Sequence, residues 1–508
     1  MPSSYDLPAP SGMAEADEFR PPAQEEVEIA YRPAALPAAR TSGVPTRRHI
    51  PIVPQGPEVP DPDPTAPLRV IGPESPRLRA AGPASSGPAP DDLLIAQQTE
   101  LDSAADNGAA SQVCEPSVAA NEDVVFYTGN WFAAVSLDVG RTFQYIDPAT
   151  AFPEPPGMSF CCDQSAHYIP QIDTFVWLLQ YMVDSTGKNI QRLAFATTED
   201  VRQGDWWTMD IASGNLGMPD LFLDFPDLAV GRNMLYMSTN AFRRAEGIFG
   251  GYEWDRSIIL RLPLSGIRRG DVSGQVVTSD QNFNFRMAQH CGTRAYWATH
   301  QSTSSLRVYT WEEDEADAAY FDVPVATWRG GNGYLSETPD GYNWLGRVDP
   351  RVLGGTKAGN ILYFAWSADR GGANNRPQPY IQIARINALN LRLLNNLNIW
   401  DPDTATAYPA LATNARREVG CSYCIGGGER YPGHALSLLT RRRRDIVAMQ
   451  GERGPSQQRW GDYLTVRRHY PYTRLFAAAG YVLKADAGEQ DATANYTVFG
   501  RREDVEAI

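Results

Sequence analysis

The chain is poor in cysteine, has no excess of positive charge and contains no long apolar run. Six cysteines in 508 residues are too few for a disulfide scaffold. Cys161 and Cys162 are adjacent, and Cys421-Ser422-Tyr423-Cys424 forms a lone CxxC. On a strand the two CxxC side chains point to opposite faces, so buried small hydrophobes are the expectation for these cysteines. No metal or cofactor site is expected. The formal charge of −15, from 45 Lys and Arg against 60 Asp and Glu, argues against nucleic-acid binding, which needs a basic face to neutralise phosphates. One dense basic run, the four arginines at 441–444, reads as a solvated edge that resists strand-to-strand pairing. No stretch of 18 apolar residues occurs, so no membrane span is expected. Met1-Pro2-Ser3-Ser4-Tyr5-Asp6 lacks the basic start and apolar core of a secretory signal, and an intracellular location is the default expectation.

Aromatic residues are scarce at the start. Residues 1–110 hold 20 of the 39 prolines with much Ala and Ser, whereas the 12 Trp and most of the 23 Tyr follow residue 120. Such a segment buries too little apolar surface to offset its ordering entropy. It reads as a low-complexity, largely irregular extension, with the folded domain at 112–504.

What the rest of the chain does contain is a repeat. Glu115-Pro116-Ser117-Val118 returns as Asp163-Gln164-Ser165-Ala166, Phe225-Pro226-Asp227-Leu228, Met287-Ala288-Gln289-His290, Asp349-Pro350-Arg351-Val352, Tyr408-Pro409-Ala410-Leu411 and Gly461-Asp462-Tyr463-Leu464. With Pro116, Gln164, Pro226, Ala288, Pro350, Pro409 and Asp462 equivalent, the intervals are 48, 62, 62, 62, 59 and 53 residues. A period of that size with four short strands inside it predicts an all-β, seven-bladed β-propeller, six blades being the alternative count. Each run is short, β-branched and aromatic, and bounded by Asn, Asp or Gly. Near-continuous apolar runs suit strands covered on both faces. The inner strand of the fourth blade is expected at 286–291. The seventh copy lacks a strand, and an open ring would expose unpaired edges. A segment at about 90–100, around Leu93-Leu94-Ile95-Ala96-Gln97, is expected to close it.

In the first blade Ser136-Leu137-Asp138-Val139-Gly140-Arg141-Thr142-Phe143 matches the pattern Ser-x-Asp-x-Gly-x-Thr-Trp/Phe at every defined position. The chain therefore resembles the Asp-box (BNR, sialidase-type) propellers. Degenerate versions begin at Thr198 and at Ser336. In that family the box folds a turn on the outer rim and is not catalytic, so Ser136, Asp138, Gly140, Thr142 and Phe143 carry a structural expectation. The family's sialidases have six blades and begin with Phe/Tyr-Arg-Ile-Pro. Here the nearest segment is Tyr31-Arg32-Pro33, which argues against sialic-acid cleavage. Other members of the family act on polysaccharides or serve as binding and assembly platforms.

Chemistry is expected where inner strands converge at one mouth of the central channel. Glu115, Asp163, Asp224 or Asp227, Asp349 and Asp462 recur there, and converging carboxylates raise one another's pKa unless arginines such as Arg286, Arg347, Arg351 and Arg459 compensate. Asp163, Asp349, Asp462 and Arg347 are the catalytic candidates, and Glu115, Asp227, His167, His290 and Trp460 the binding candidates. Each Asp also suits a plain turn-capping role. Two functions follow. One is a ligand-binding or assembly propeller that uses the mouth and the extension to contact a glycan or protein partner, which the extension favours. The alternative is a carbohydrate-active enzyme, hydrolytic or lytic, with paired carboxylates.

Overall fold

The computed structural model describes residues 7–21, 25–29, 56–61, 92–101, 111–245, 251–331, 333–348, 350–440, 444–485 and 492–508. Its strands form seven antiparallel sheets arranged as the blades of a propeller. Blade 1 runs through Ser117–Asn121, Val124–Gly129, Phe132–Ser136 and Gln144–Ile146. Blade 2 holds Phe160–Ile169, Thr174–Tyr181, Ile190–Thr197 and Asp205–Ala212, and blade 3 holds Phe222–Val230, Met234–Arg244, Tyr252–Pro263 and Gly274–Ser279. Blade 4 comprises Arg286–Met287, Arg294–Ser302, Ser305–Glu312 and Ala318–Pro324. Blade 5 follows with Val352–Ala358, Ile361–Ala368, Tyr380–Asn387 and Leu393–Ile399, and blade 6 with Ala405–Thr413, Val419–Gly427, Arg430–Leu438 and Arg444–Met449. Among the described residues no helix is long and apolar enough to cross a membrane.

Blade 7 takes three strands from the C-terminal end, Thr465–Arg468, Phe476–Val482 and Thr493–Arg501, and its outer strand, Leu93–Glu100, from before blade 1. Gly500 pairs with Leu94 and Asn495 with Glu100, so first and last parts of the ring are joined by backbone hydrogen bonds. Earlier segments lace the rim in reverse order. Gly12–Ala14 adds to the outer edge of blade 4, Ala16–Phe19 to blade 3 and Glu25–Glu28 to blade 2. Phe19 lies over Gly274, where an added Cβ would come within 2.4 Å of its ring.

Apolar side chains fill the spaces between neighbouring blades. Separate clusters join blades 1 and 2, 2 and 3, 3 and 4, 4 and 5, and 5 and 6, while a larger one joins blades 6, 7 and 1. Both faces of each blade are thus buried, which is why the strands read as continuous apolar runs. Tryptophans take part in these contacts: Trp177 of blade 2 lies 5.1 Å from Phe126 of blade 1, and Trp366 of blade 5 lies 5.0 Å from His300 of blade 4.

The 136–143 turn is closed by its own side chains. Asp138 accepts from the Arg141 and Thr142 amides, from the Thr142 hydroxyl at 2.7 Å and from the Ser136 hydroxyl at 2.7 Å. Ser136 Oγ in turn accepts from the Gly140 amide at 2.8 Å. Gly140 has φ 82°, and a Cβ there would meet the Tyr496 ring at 2.3 Å. Phe143 packs edge-on against Tyr127 and Tyr496, seating the turn over the blade 7–blade 1 junction.

Three expectations are corrected. Cys161 and Cys162 form a disulfide with each other, whereas Cys421 and Cys424 are buried thiols. The segment from Thr198 folds as a short helix, Thr198–Gln203, capped by the Thr197 hydroxyl and ended by Gly204 at φ 86°. Blade 4 is out of step with the expected register. Its inner strand covers only Arg286–Met287, and Asn284 holds the left-handed backbone that Phe225 and Tyr408 hold elsewhere. Phe285, three residues before Ala288, is therefore the counterpart of Pro226. Of the basic run, 441–443 lies outside the described residues.

Candidate functional site

The repeated X-Pro pairs build the channel mouth. Proline cannot donate to a strand ladder, so the chain bulges there, and the preceding residue turns left-handed. Glu115, Phe225 and Tyr408 have φ 48°, 57° and 58°, and register shifts fall at 224/227 and 407/410. Each such residue costs on the order of 1–3 kcal/mol, and such positions cluster at functional sites. The Tyr408 amide is satisfied by Ser367 Oγ at 3.0 Å, and that of Asn284 by Ser257 Oγ at 2.7 Å. The fourth X-Pro position, the catalytic candidate Asp349, lies outside the described residues.

The carboxyl groups of Glu115, Asp163, Asp224 and Asp462 interact at this mouth. Glu115 is buried; its carboxylate accepts from Asn130 Nδ2 at 2.6 Å and from the Asp462 amide at 2.9 Å. Burial, then the Asp462 charge, pushes its pKa up to about 7. Burial raises Asp163 well above the carboxylate range, reinforced by Glu115, Asp224 and Asp462 and opposed by Arg459. Asp163 has no hydrogen-bond partner among the described residues. Asp224 is raised by burial too, although it accepts from Gln180 Nε2 at 2.6 Å and faces Arg351. Asp462 lies 3.7 Å from Arg459 and 3.9 Å from Arg351. Burial works against the charge on Arg459, but Asp462, Glu115 and Asp163 outweigh it and raise its pKa. Arg351 also covers the Phe225 ring at 3.9 Å. Arg347 sits in the turn after Trp344, where an added Cβ at the neighbouring Gly346 would lie 3.0 Å from the Gln458 carbonyl. That turn abuts the loop carrying Arg459 and Asp462.

Below the mouth the channel narrows to a cavity of about 30 Å³ between Asp227, Arg286, Tyr463 and Arg467, room for about one water. Arg286 Nη1 lies 2.7 Å from Asp227 Oδ2, in an electrostatic contact without the alignment of a hydrogen bond. Asp227 therefore belongs to the waist. His167 and His290 lie beyond it, on the wall of a separate chamber at the far end.

Trp460 offers a ligand no face. It is buried, stacked on Tyr481 at 4.7 Å and edge-on to Trp344, with Nε1 donating to Cys424 Sγ at 3.2 Å. Trp177, Trp297, Trp344 and Trp366 are buried as well. Asn130 and Gln180, which hold Glu115 and Asp224, were not identified from the sequence. They lie in a turn and on a second strand, where nothing local marks them.

No protein-family model matches the chain, and a search of curated proteins finds no match. Among solved structures, a Dyadobacter fermentans protein of unknown function is similar with a TM-score of 0.40 and 9% identity, over 81% of this chain and 99% of that one. The Fusarium graminearum α-L-arabinofuranosidase Arb93A gives 0.38 and 10% identity, over 76% and 92% of the two chains. Trypanosoma rangeli sialidase gives 0.34 and 8%, over 68% and 55%. Likeness at this level says nothing of activity, and the propeller rests on the strand pairing itself.

Proposed function

We propose that the chain is a ligand-binding propeller of the Asp-box type, which takes a hydrogen-bonding ligand such as a saccharide at the mouth formed by Glu115, Asp163, Asp224 and Asp462. The self-bonded 136–143 turn supports the Asp-box reading. The observation that carries the function is the commitment of three of these carboxylates to internal partners: Glu115 to Asn130 and the Asp462 amide, Asp224 to Gln180, and Asp462 to two arginines. A glycosidase needs two carboxyl groups free to work on either side of the scissile bond. Groups tied in this way orient a ligand better than they exchange protons with one. The constricted waist lets a ligand dock at the mouth without passing through. The N-terminal extension provides a second surface for partner contact, on those parts not already paired with the rim.

Asp163 favours the second reading, a carbohydrate-active enzyme. It is a buried carboxyl without a hydrogen-bond partner among the described residues, and burial with the neighbouring Glu115, Asp224 and Asp462 charges raises its pKa well above the ordinary carboxylate value. Those are the properties of a general acid. Screening the full chain against an oligosaccharide array, with wild type and Asp163→Asn side by side, tests the proposal. Saturable saccharide binding that weakens in the variant supports it; no binding to any saccharide contradicts it.

A further inference from the structure

We propose that the far end of the channel holds a second ligand site, built for a small oxyanion. Beyond the waist the exit ends of the inner strands enclose a chamber of about 250 Å³. Its wall carries Arg467, Arg468, His167 and His290 and, among the described residues, no carboxylate. Acidic groups stand at its margins: Asp227 lies in the waist and is paired with Arg286, and Glu313 lies behind Gly231, tied to the Arg232 and Asn233 amides. Two guanidinium groups thus line a partly open space with no carboxylate among the described residues of its wall, a situation that proteins normally relieve by pairing.

The individual groups are arranged to serve a guest. Arg467 Nε is buried without an acceptor, and the side chain makes no ion pair within 4 Å among the described residues. Burial lowers its pKa to about 10, only partly opposed by Asp227. Arg468 is fixed in place by donating to the Thr413 and Asn414 carbonyls at 3.0 and 3.4 Å. His290 stands in left-handed backbone at φ 60°, and its ring has no hydrogen-bond partner among the described residues. Both ring nitrogens of His167 face acceptors, the Tyr168 carbonyl at 2.9 Å and Gln289 Oε1 at 3.1 Å. Gln289 cannot turn to help, because its Nε2 donates to the Leu228 carbonyl at 2.7 Å. A neutral imidazole satisfies only one of those acceptors. Burial, then the Arg467 charge, nevertheless holds His167 neutral, with its pKa pushed down to about 4. An oxyanion would supply the missing counter-charge and accept from Arg467 and His290 together. The chamber leaves room around a single phosphate or sulfate for a short carbon skeleton, so a small phosphorylated, sulfated or dicarboxylic molecule fits the same chemistry.

The test is thermal stability and calorimetry of the full chain, titrated with inorganic phosphate, sulfate, malonate and chloride at matched ionic strength. Saturable stabilisation by at least one oxyanion and none by chloride is the expected result; the strongest of the three identifies the anion class. Arg467→Gln should weaken that binding at least tenfold. Gln171→Glu, which places a carboxylate at the exposed rim of the chamber, should weaken it several-fold and covers the case in which Arg467→Gln does not fold. Equal response to chloride, or unaltered affinity in the folded variants, would overturn the proposal.

Discussion

Glu115 combines a left-handed backbone, full burial and a carboxyl group whose proton is held to about pH 7. That makes it a reporter on the mouth. In an unfolded chain the group titrates at about 4.3, so the folded state binds its proton more tightly. Its stabilising contribution is complete below the unfolded value and lost as pH rises through about 7. Asp163 acts in the same direction. The buried histidines act oppositely: His167, His434 and His469 are lowered to about 4, so their contribution is present above about 6.5 and lost as pH falls. Comparing wild type with Glu115→Gln separates the two. From pH 4.5 to 8.5 the wild type should lose on the order of 3 kcal/mol relative to the variant, read by denaturant unfolding at each pH. A difference independent of pH would contradict the burial of this carboxyl. Asp138→Ala removes the acceptor that closes the 136–143 turn and should cost about 1–2 kcal/mol, with ligand affinity at the mouth unchanged. Individual acidic positions were legible in the sequence because Asp and Glu recur at the start of most repeats, beside Pro at Glu115. Their environments were not, since Asn130 arrives from a turn and Gln180 from a second strand.

Among the elements, the strand that closes the ring carries the clearest consequence. Leu101, just beyond it, is buried, and its amide donates to the Ala494 carbonyl at 2.9 Å. Leu101→Ala should cost about 2–5 kcal/mol. Hydrogen exchange should then accelerate first in Thr493–Arg501, while blades 3 and 4 stay protected; uniform acceleration would show that the closure is not a separate cooperative unit. The missing fourth strand of the last repeat pointed to this pairing, because an open ring would leave strand edges unpaired. Nothing comparable pointed to Gly12–Ala14, Ala16–Phe19 or Glu25–Glu28. These are three- and four-residue segments with one large apolar residue each, Met13, Phe19 and Val27, held by backbone pairing that leaves little trace in side-chain pattern. The blade 4 register went astray for a related reason. Phe285 stands where four of the other copies carry proline, and the left-handed residue is Asn284 rather than a residue before Pro.

Across the whole molecule the channel has three levels: a carboxylate mouth, a constricted waist and a basic chamber. The period made the ring legible, because one repeat is one blade and each blade must bury both faces against its neighbours. The division of the channel was not legible. His167, His290 and Arg467 come from three blades widely separated in the chain, and they meet only when the ring closes. The mouth is proposed to bind without cleaving, and the most direct measurement is a reducing-end assay on a saccharide that the protein binds, run at an enzyme-to-substrate ratio high enough to see a single turnover. The predicted result is saturable binding with no release of reducing ends. Release that disappears in Asp163→Asn and Glu115→Gln would contradict it and assign the mouth to catalysis.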